Sequence, residues 1–286
     1  MRYQRGLHVM AIKASTQFWR EMKKVFFFIK RDFKILFSYR LAFASMFAGV
    51  FFSLFNLVLF GAMFGVTELQ SLSFYGGNYI SYILIGSIGW GFMWAISGAT
   101  SNALQSEMMM GTLEAIMSTP TKVTTLVLSY TIYGAFFGML SVFLIIGAGV
   151  GLFGSDILGA ISPATVVFFF LMVAMMAGIG MIFGGLTVWT KNIGPLLGLF
   201  QNSTMFFSGV YYPISVLPAI IRPISHIMPF YYSVEGLRRS LMPGTPDVWY
   251  YMGVTAIVAA VLLILGYIIL MYAIKKAKRD GSLSFY

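Results

Sequence analysis

The sequence predicts an all-α polytopic membrane protein with six transmembrane helices, an N-terminal interfacial amphipathic helix and re-entrant external helices before the last span. Three observations carry that prediction. The 286 residues are 59% hydrophobic and only 10% charged, too few charges to cover the exterior of a soluble domain of this size. Six apolar stretches are each long enough to cross about 30 Å of hydrocarbon. The basic residues gather at the ends: ten of the nineteen Lys and Arg precede Leu41, and Lys275, Lys276, Lys278 and Arg279 close the chain. The net charge of +10 therefore fits an anionic cytoplasmic lipid face and not nucleic acid. Cysteine is absent, which excludes disulfides, thiol catalysis and Cys-based metal sites.

Residues 1–40 read as a cytoplasmic N-terminus. Its first fourteen residues lack a secretory signature, because Lys and Arg continue to Arg40 without an apolar core and cleavage site. Residues 15–37 form an amphipathic helix. Phe18, Met22, Val25, Phe26, Ile29, Phe33 and Leu36 share one face, and Arg20, Lys23, Lys24, Arg31 and Lys34 lie largely on the other. The apolar run Val25–Ile29 is far too short to span, so the helix lies in the interface with its basic residues towards headgroups.

The transmembrane domain covers 41–274, with spans at about 41–64, 79–104, 124–152, 163–189, 193–211 and 249–274. Residues 275–286 form a basic cytoplasmic tail. Sixteen Lys and Arg fall on one side of this arrangement, and three, Arg222, Arg238 and Arg239, on the other. That split places both termini in the cytoplasm. Gly-xxx-Gly pairs at 61/65, 134/138, 147/151, 180/184 and 194/198 predict close helix packing. No Lys, Arg, Asp, Glu or His falls within a predicted span, unlike proton pumps and ion-coupled carriers. The driving energy then comes from outside this chain.

The stretch Gln105–Lys122, QSEMMMGTLEAIMSTPTK, is the longest polar break on the cytoplasmic side. Residues 112–117 suit a short helix ended by Ser118-Thr119-Pro120, since Pro120 cannot continue a helix and biases Thr119 towards extended backbone. It reads either as an ordinary loop or as a contact where a soluble partner pushes on the bundle. The external segment 206–241 is apolar yet carries Pro213, Pro218, Pro223 and Pro229. Those prolines break it into two short helices dipping back from the outer face. The second ends near Glu235, Arg238 and Arg239, which can pair at i, i+3 and i, i+4.

Much chemistry is missing. There is no Gly-Lys pair, so no phosphate-binding loop that would hold ATP. His8 and His226 are too far apart to share a zinc site, and no HExxH occurs. No catalytic residue, metal site or cofactor is expected in this chain.

Phe207-Ser208-Gly209, Tyr212-Pro213, Leu217-Pro218, Pro229 and the Glu235–Arg238 pair resemble the signature of type-2 ABC exporter permeases. Glu107…Gly111-Thr112-Leu113-Glu114…Thr119-Pro120 resembles that family's first coupling helix. The pattern departs at His226-Ile227-Met228-Pro229, where Asn more often precedes the proline. The resemblance covers nearly the whole chain. It implies a dimer of permeases, most simply a homodimer, each paired with a cytosolic ATPase subunit that binds ATP and Mg. Residues 105–121 would be the main coupling segment and Lys191-Asn192 a smaller second contact. Residues 15–37 would be the connecting helix, and 213–241 the re-entrant helices at the outer mouth.

The function expected is therefore the membrane subunit of an ATP-driven exporter in a prokaryotic plasma membrane, moving an amphipathic drug or lipid as in multidrug efflux. A polysaccharide or lipid-linked glycan is the alternative substrate. A membrane-embedded transferase is less favoured, because Glu107 and Glu114 stand without the clustered acids such enzymes use. A passive channel or ion-coupled carrier is disfavoured by the uncharged spans. Tyr75, Tyr79, Tyr82, Tyr211, Tyr212, Tyr231 and Tyr232 near the outer boundary read as an interfacial belt or a stacking surface for sugars or flat drugs. On span five, Gly194, Gly198, Gln201, Met205 and Ser208 share one helix face, and Leu196, Leu199, Ser203, Phe206 and Val210 another. An unpaired amide in hydrocarbon costs several kcal/mol, so Gln201 meets either another helix or a water-accessible cavity. In the resembled family this span lies near the dimer axis. That implies Gln201, Met205 and Ser208 on the translocation route, with Asn202 at its edge.

Overall fold

The computed structural model describes residues 2–41, the helical positions 44, 45, 48, 49, 51, 52, 55 and 59, and residues 79–153, 159–242 and 247–283, with no side chain described before Gln17. Among these residues the chain is helical and has no strand. The helices are α1 (Arg2–Ser38), α2 (Tyr79–Met109), α3 (Thr112–Ser118), α4 (Val123–Phe153), α5 (Pro163–Thr190), α6 (Gly194–Phe207), α7 (Arg222–Ile227), α8 (Pro229–Leu241) and α9 (Val248–Arg279), with a 3-10 turn at Ile214–Val216.

Four helices, α2, α4, α5 and α9, are long and apolar enough to cross a membrane. They occupy the second, third, fourth and sixth predicted spans. Most of the first span, 41–64, lies outside the described residues, as do Gly61, Gly65, Tyr75 and the last three residues of the tail. The fifth predicted span, 193–211, is helical only over α6. Its 14 residues cover about 21 Å, less than the hydrocarbon thickness. The helix stops because Gly209 takes φ of 69°, a left-handed conformation that turns the chain.

Packing centres on α5. It crosses α9 backbone to backbone: a Cβ on Gly178 would lie 2.5 Å from the Leu262 carbonyl carbon, and one on Gly266 2.3 Å from the Gly178 carbonyl oxygen. Neither glycine belongs to a predicted Gly-xxx-Gly pair. Of those pairs, Gly134 and Gly138 press α4 onto Ala99 and Phe92 of α2, and Gly180 and Gly184 seat α5 against Ile96 and Thr100. Gly147, Gly151 and Gly198 would meet nothing within 4 Å. The apolar core has two parts. One joins α2, α5 and α8 through Phe92, Ile96, Phe168, Met172 and Val234. The other joins α2, α3, α4 and α9 through Leu104, Leu113, Met117, Leu126 and Ile274.

Beyond Phe207 the prolines act as starters as much as breakers. Pro213 precedes the 3-10 turn, Pro223 sits in the first turn of α7, and Pro229 opens α8, positions where the missing N–H costs nothing. Two short helices thus occupy the predicted region, and the second continues past the charged residues to Leu241. Its end is tied to the start of α5, where Ser162 caps the helix through Thr165 and both hydroxyls reach Ser240.

Candidate functional site

The polar turn after α2 is built around one glycine. Gly111 has φ of 70° and stands at the N-cap of α3, so the chain reverses between Met109 and Thr112. Helix α3 ends where Thr119 goes extended before Pro120, and the Thr119 hydroxyl donates back to the Ile116 carbonyl at 2.6 Å. Leu113 and Met117, four apart, are buried, whereas Glu114, Ala115, Ser118, Thr119 and Pro120 are exposed. The preceding Met109 and Met110 are exposed as well. The turn and α3 together therefore present an outward edge of one carboxylate and two flexible apolar side chains on a base that is packed.

Glu107 behaves differently from Glu114. It is buried, and Thr112 donates its hydroxyl to Oε2. Arg31 of α1 reaches Oε1 at 2.6 Å, and Tyr130 of α4 donates to the same oxygen at 3.4 Å. Glu107 thus joins α2, α3, α4 and α1 from inside and is not part of the exposed edge. The Arg31 guanidinium also holds Asp32 at 2.8 Å. Burial pushes the Asp32 carboxyl above its usual range, against the pull of Arg31. Burial opposes the charge on Arg31 too, but Asp32 and Glu107 outweigh it and raise its pKa.

Two more basic residues brace the turn. Lys24 of α1 donates to the Pro120 carbonyl at 2.8 Å and pairs with Glu21 at 2.8 Å; Glu21 in turn accepts from Thr125 at the start of α4. Lys278, in the last turn of α9, donates to the Met117 carbonyl at 3.3 Å, where a cation complements the helix C-terminus. The second short connection is held beside it. Lys191 has φ of 69°, donates to the Ser282 carbonyl, and its own carbonyl accepts from Gln105 at 3.5 Å. Asn192 is exposed, with its side chain accepting from the Gly194 N–H at 3.2 Å.

Helix α1 does not follow the predicted faces throughout. Val25 is buried and Met22, Ile29, Phe33 and Leu36 are half-buried, but Phe18 and Phe26 are exposed. The bundle side instead includes Glu21, Arg31 and Asp32, none of which the sequence reading marked as functional. A signal was present: Glu21 and Asp32 are eleven residues apart, three helical turns, on an otherwise basic segment.

At the opposite end Arg238 is 1% exposed. It donates to Glu235 at 3.2 Å and to the carbonyls of Gly209 at 3.0 Å and Val210 at 3.5 Å. Its Cζ sits 3.6 Å from the centroid of the Tyr82 ring, and the Tyr82 hydroxyl donates to Gly209 at 2.9 Å. Arg239 holds the other Glu235 oxygen at 2.9 Å. These groups satisfy the backbone carbonyls of the turn that follows α6. Gly86 lets α2 approach there, since a Cβ would fall 1.9 Å from the Val210 oxygen. Tyr212, Pro213, Pro218 and Pro229 shape the same segment, with the Tyr212 hydroxyl donating to Phe206 at 2.8 Å.

Burial separates the two predicted faces of α6. Gln201 is buried and donates to Ser97 Oγ of α2 at 3.1 Å; Ser208 is buried too. The amide has taken the interhelical partner, so the Gln201–Ser208 face turns into this chain's own bundle. The outward positions are Leu196, Leu199, Asn202 and Phe206, and Met205 lies between the two faces. The family model described as ABC-2 type transporter matches residues 23–242. No curated protein matches the chain.

Proposed function

Because the chain belongs to the ABC-2 type transporter family, whose membrane component works with an ATPase partner, we propose that this permease pairs with a second copy of itself and exports an amphipathic substrate. The observation that carries the coupling assignment is the construction of α3. The exposed edge, Met109, Met110 and Gly111 of the turn before α3 with Glu114 of α3 itself, stands on a base braced by α1 through Arg31 and Lys24 and by α9 through Lys278. A contact that must transmit force needs both a free edge for the partner and rigid attachment behind it. Glu114 supplies a carboxylate for charge-assisted hydrogen bonds, and the two methionines supply adaptable apolar contact. Asn192 on the adjoining turn is a second, smaller contact.

The direction of transport, the prokaryotic plasma membrane and the cytoplasmic termini rest on the charge split and on the family's exporters. The unpartnered Leu196, Leu199 and Phe206 side of α6, with Asn202 among them, supports a seat facing the second copy and the route between the two. For substrate, an amphipathic drug or lipid fits an apolar, uncharged lining. Polysaccharide is the second reading, favoured by the ring cluster of His226, Tyr231, Tyr232, Tyr250 and Tyr251, whose successive centroids lie 5.2–6.4 Å apart. Glu114→Ala is the test. It should insert normally yet lower permease-stimulated ATP hydrolysis in the reconstituted complex. Unchanged stimulation and unchanged export would remove α3 as the contact.

A further inference from the structure

Beyond α9 the chain turns back on itself. Gly281 takes φ of 65°, a left-handed conformation that glycine adopts freely. The Ser282 N–H then donates to the Ala277 carbonyl at 3.0 Å, the bond that closes a Schellman stop. Residues 281–283 therefore fold across the end of α9 instead of running on from it. Two contacts hold them there. Leu283 is buried, at 8% exposure, in the apolar cluster that contains Leu104, Met108, Leu113 and Met117. The Ser282 carbonyl accepts from the Lys191 ammonium. Leu113 and Met117 are the packed base of α3, and Lys191 lies in the turn between α5 and α6. Lys191 carries its side chain at φ of 69°, where a glycine would avoid the steric cost but would have no ammonium to offer.

We propose that residues 281–283 are a clasp that binds the α3 turn and the Lys191 turn into one docking unit for the ATPase, with Leu283 and Lys191 as its positioning residues. The docking part rests on reading α3 and Asn192 as the ATPase contacts. Helix α3 has only seven residues, too few to hold its shape without packing behind it, so what fills its inner side fixes where it stands. Lys278 holds its far end through the Met117 carbonyl but makes no link to the Lys191 turn. The direct link between the two turns, from Gln105 to the Lys191 carbonyl, spans 3.5 Å, longer than an ordinary hydrogen bond. The clasp supplies the missing connection. Two contacts carried on separate turns would each have to be ordered on docking, and that ordering subtracts from affinity. Tied together beforehand, they meet the partner as one surface.

The first experiment needs no partner. Amide hydrogen exchange is followed by mass spectrometry in the purified protein, over peptides covering 112–120 and 188–194. Leu283→Ala should speed exchange in both at least about tenfold, because truncating a buried leucine costs more than the ~1.4 kcal/mol of a tenfold ratio. Leu283→Met, which keeps the volume, should restore wild-type exchange. Lys191→Met removes the ammonium but leaves the apolar cluster and the carbonyl that Gln105 uses. It should speed exchange over 112–120 several-fold as well, and Lys191→Arg should restore it. The second experiment titrates the ATPase onto the permease in vesicles and reads ATP hydrolysis. Leu283→Ala should raise the ATPase concentration for half-maximal stimulation at least about fivefold, the mark of lost pre-organisation, and leave the maximal rate within about twofold, since the contact side chains are untouched. Unchanged exchange over 112–120 in Lys191→Met overturns the proposal, because Leu283 would then only fill the core. So does Leu283→Ala exchange that rises over 112–120 alone. An unchanged half-maximal concentration in Leu283→Ala, with the wild type stimulating normally, overturns the role in docking. Absence of any stimulation by the wild type would instead count against α3 as the ATPase contact, and the exchange results would still decide whether the clasp joins the two turns.

Discussion

Replacing Arg238 with Met probes the joint between α2, α6 and α8. The substitution keeps the side chain's bulk and removes its charge. Lost with the guanidinium are the bonds to the Gly209 and Val210 carbonyls, the 3.2 Å pair with Glu235 and the stack on Tyr82. Breaking one partner out of a buried pair costs roughly 3–5 kcal/mol, because the remaining group is left in a poor solvent. Glu235 keeps Arg239 at 2.9 Å, which points to the lower end, about 3 kcal/mol. For a chain of this size that corresponds to a fall in melting temperature of roughly 6–12 °C. The assay is thermal loss of the monodisperse peak of detergent-purified protein, with Arg239→Met beside it. Arg239 is less buried and also faces exposed Asp247 at 3.7 Å, so its loss should cost clearly less. An Arg238→Met protein melting within about 2 °C of wild type, or an Arg239→Met protein melting lower, would refute the reasoning.

Asp32 should make stability fall as pH rises. Its folded pKa is raised by burial, so between the ordinary carboxylate value and the raised one the folded chain binds more protons than the unfolded chain, and stability drops through that window. Asp32→Asn should flatten the melting-temperature profile over pH, and an unaltered slope would remove Asp32 as its source. Gly178→Ala and Gly266→Ala should each cost at least about 1–3 kcal/mol by overpacking, while Gly147→Ala, with open space around it, should change melting little; equal effects at all three would contradict the crossing. In this cysteine-free chain, single cysteines at 199 and 206 should cross-link between copies or react with membrane-permeant thiol reagents, whereas 201 and 208 stay protected. The opposite labelling would mean that the Gln201 side opens outward in the assembly. Reporter fusions after 118, 191 and 280 should read inside and those after 70, 156 and 244 outside; a cytoplasmic signal at 244 would end the re-entrant arrangement.

The four long helices were legible because nothing in water-soluble folding produces uninterrupted apolar runs of that length. Helix α3 was legible because Gly111 and Pro120 punctuate it on either side. The charged pairs of α8 followed from i, i+3 and i, i+4 spacing alone. The tighter details depended on partners distant in sequence. Arg31 and Glu107 are 76 positions apart, and no local pattern ties them. Gln201 had two physically equal solutions, a cavity or a neighbouring helix, and only the position of Ser97 decides between them. The Gly178–Gly266 crossing was missed because close approach across two helices needs a small residue on each, not two on one.

That crossing also sets how α9 carries load. Side chains packed between helices can change rotamer and absorb a shift, but two backbones in contact have no such slack. Helix α9 runs from Tyr251, under Arg239 at 4.6 Å, to Lys278 on the Met117 carbonyl. Twenty-seven residues make that about 40 Å of continuous helix. Clamped to α5 near its middle, it is a stiff rod with one end on the α3 turn and the other beside the Glu235 cluster. A displacement of α3 therefore reaches the Glu235 end as tilt about the glycine pivot, with little lost to repacking along the way.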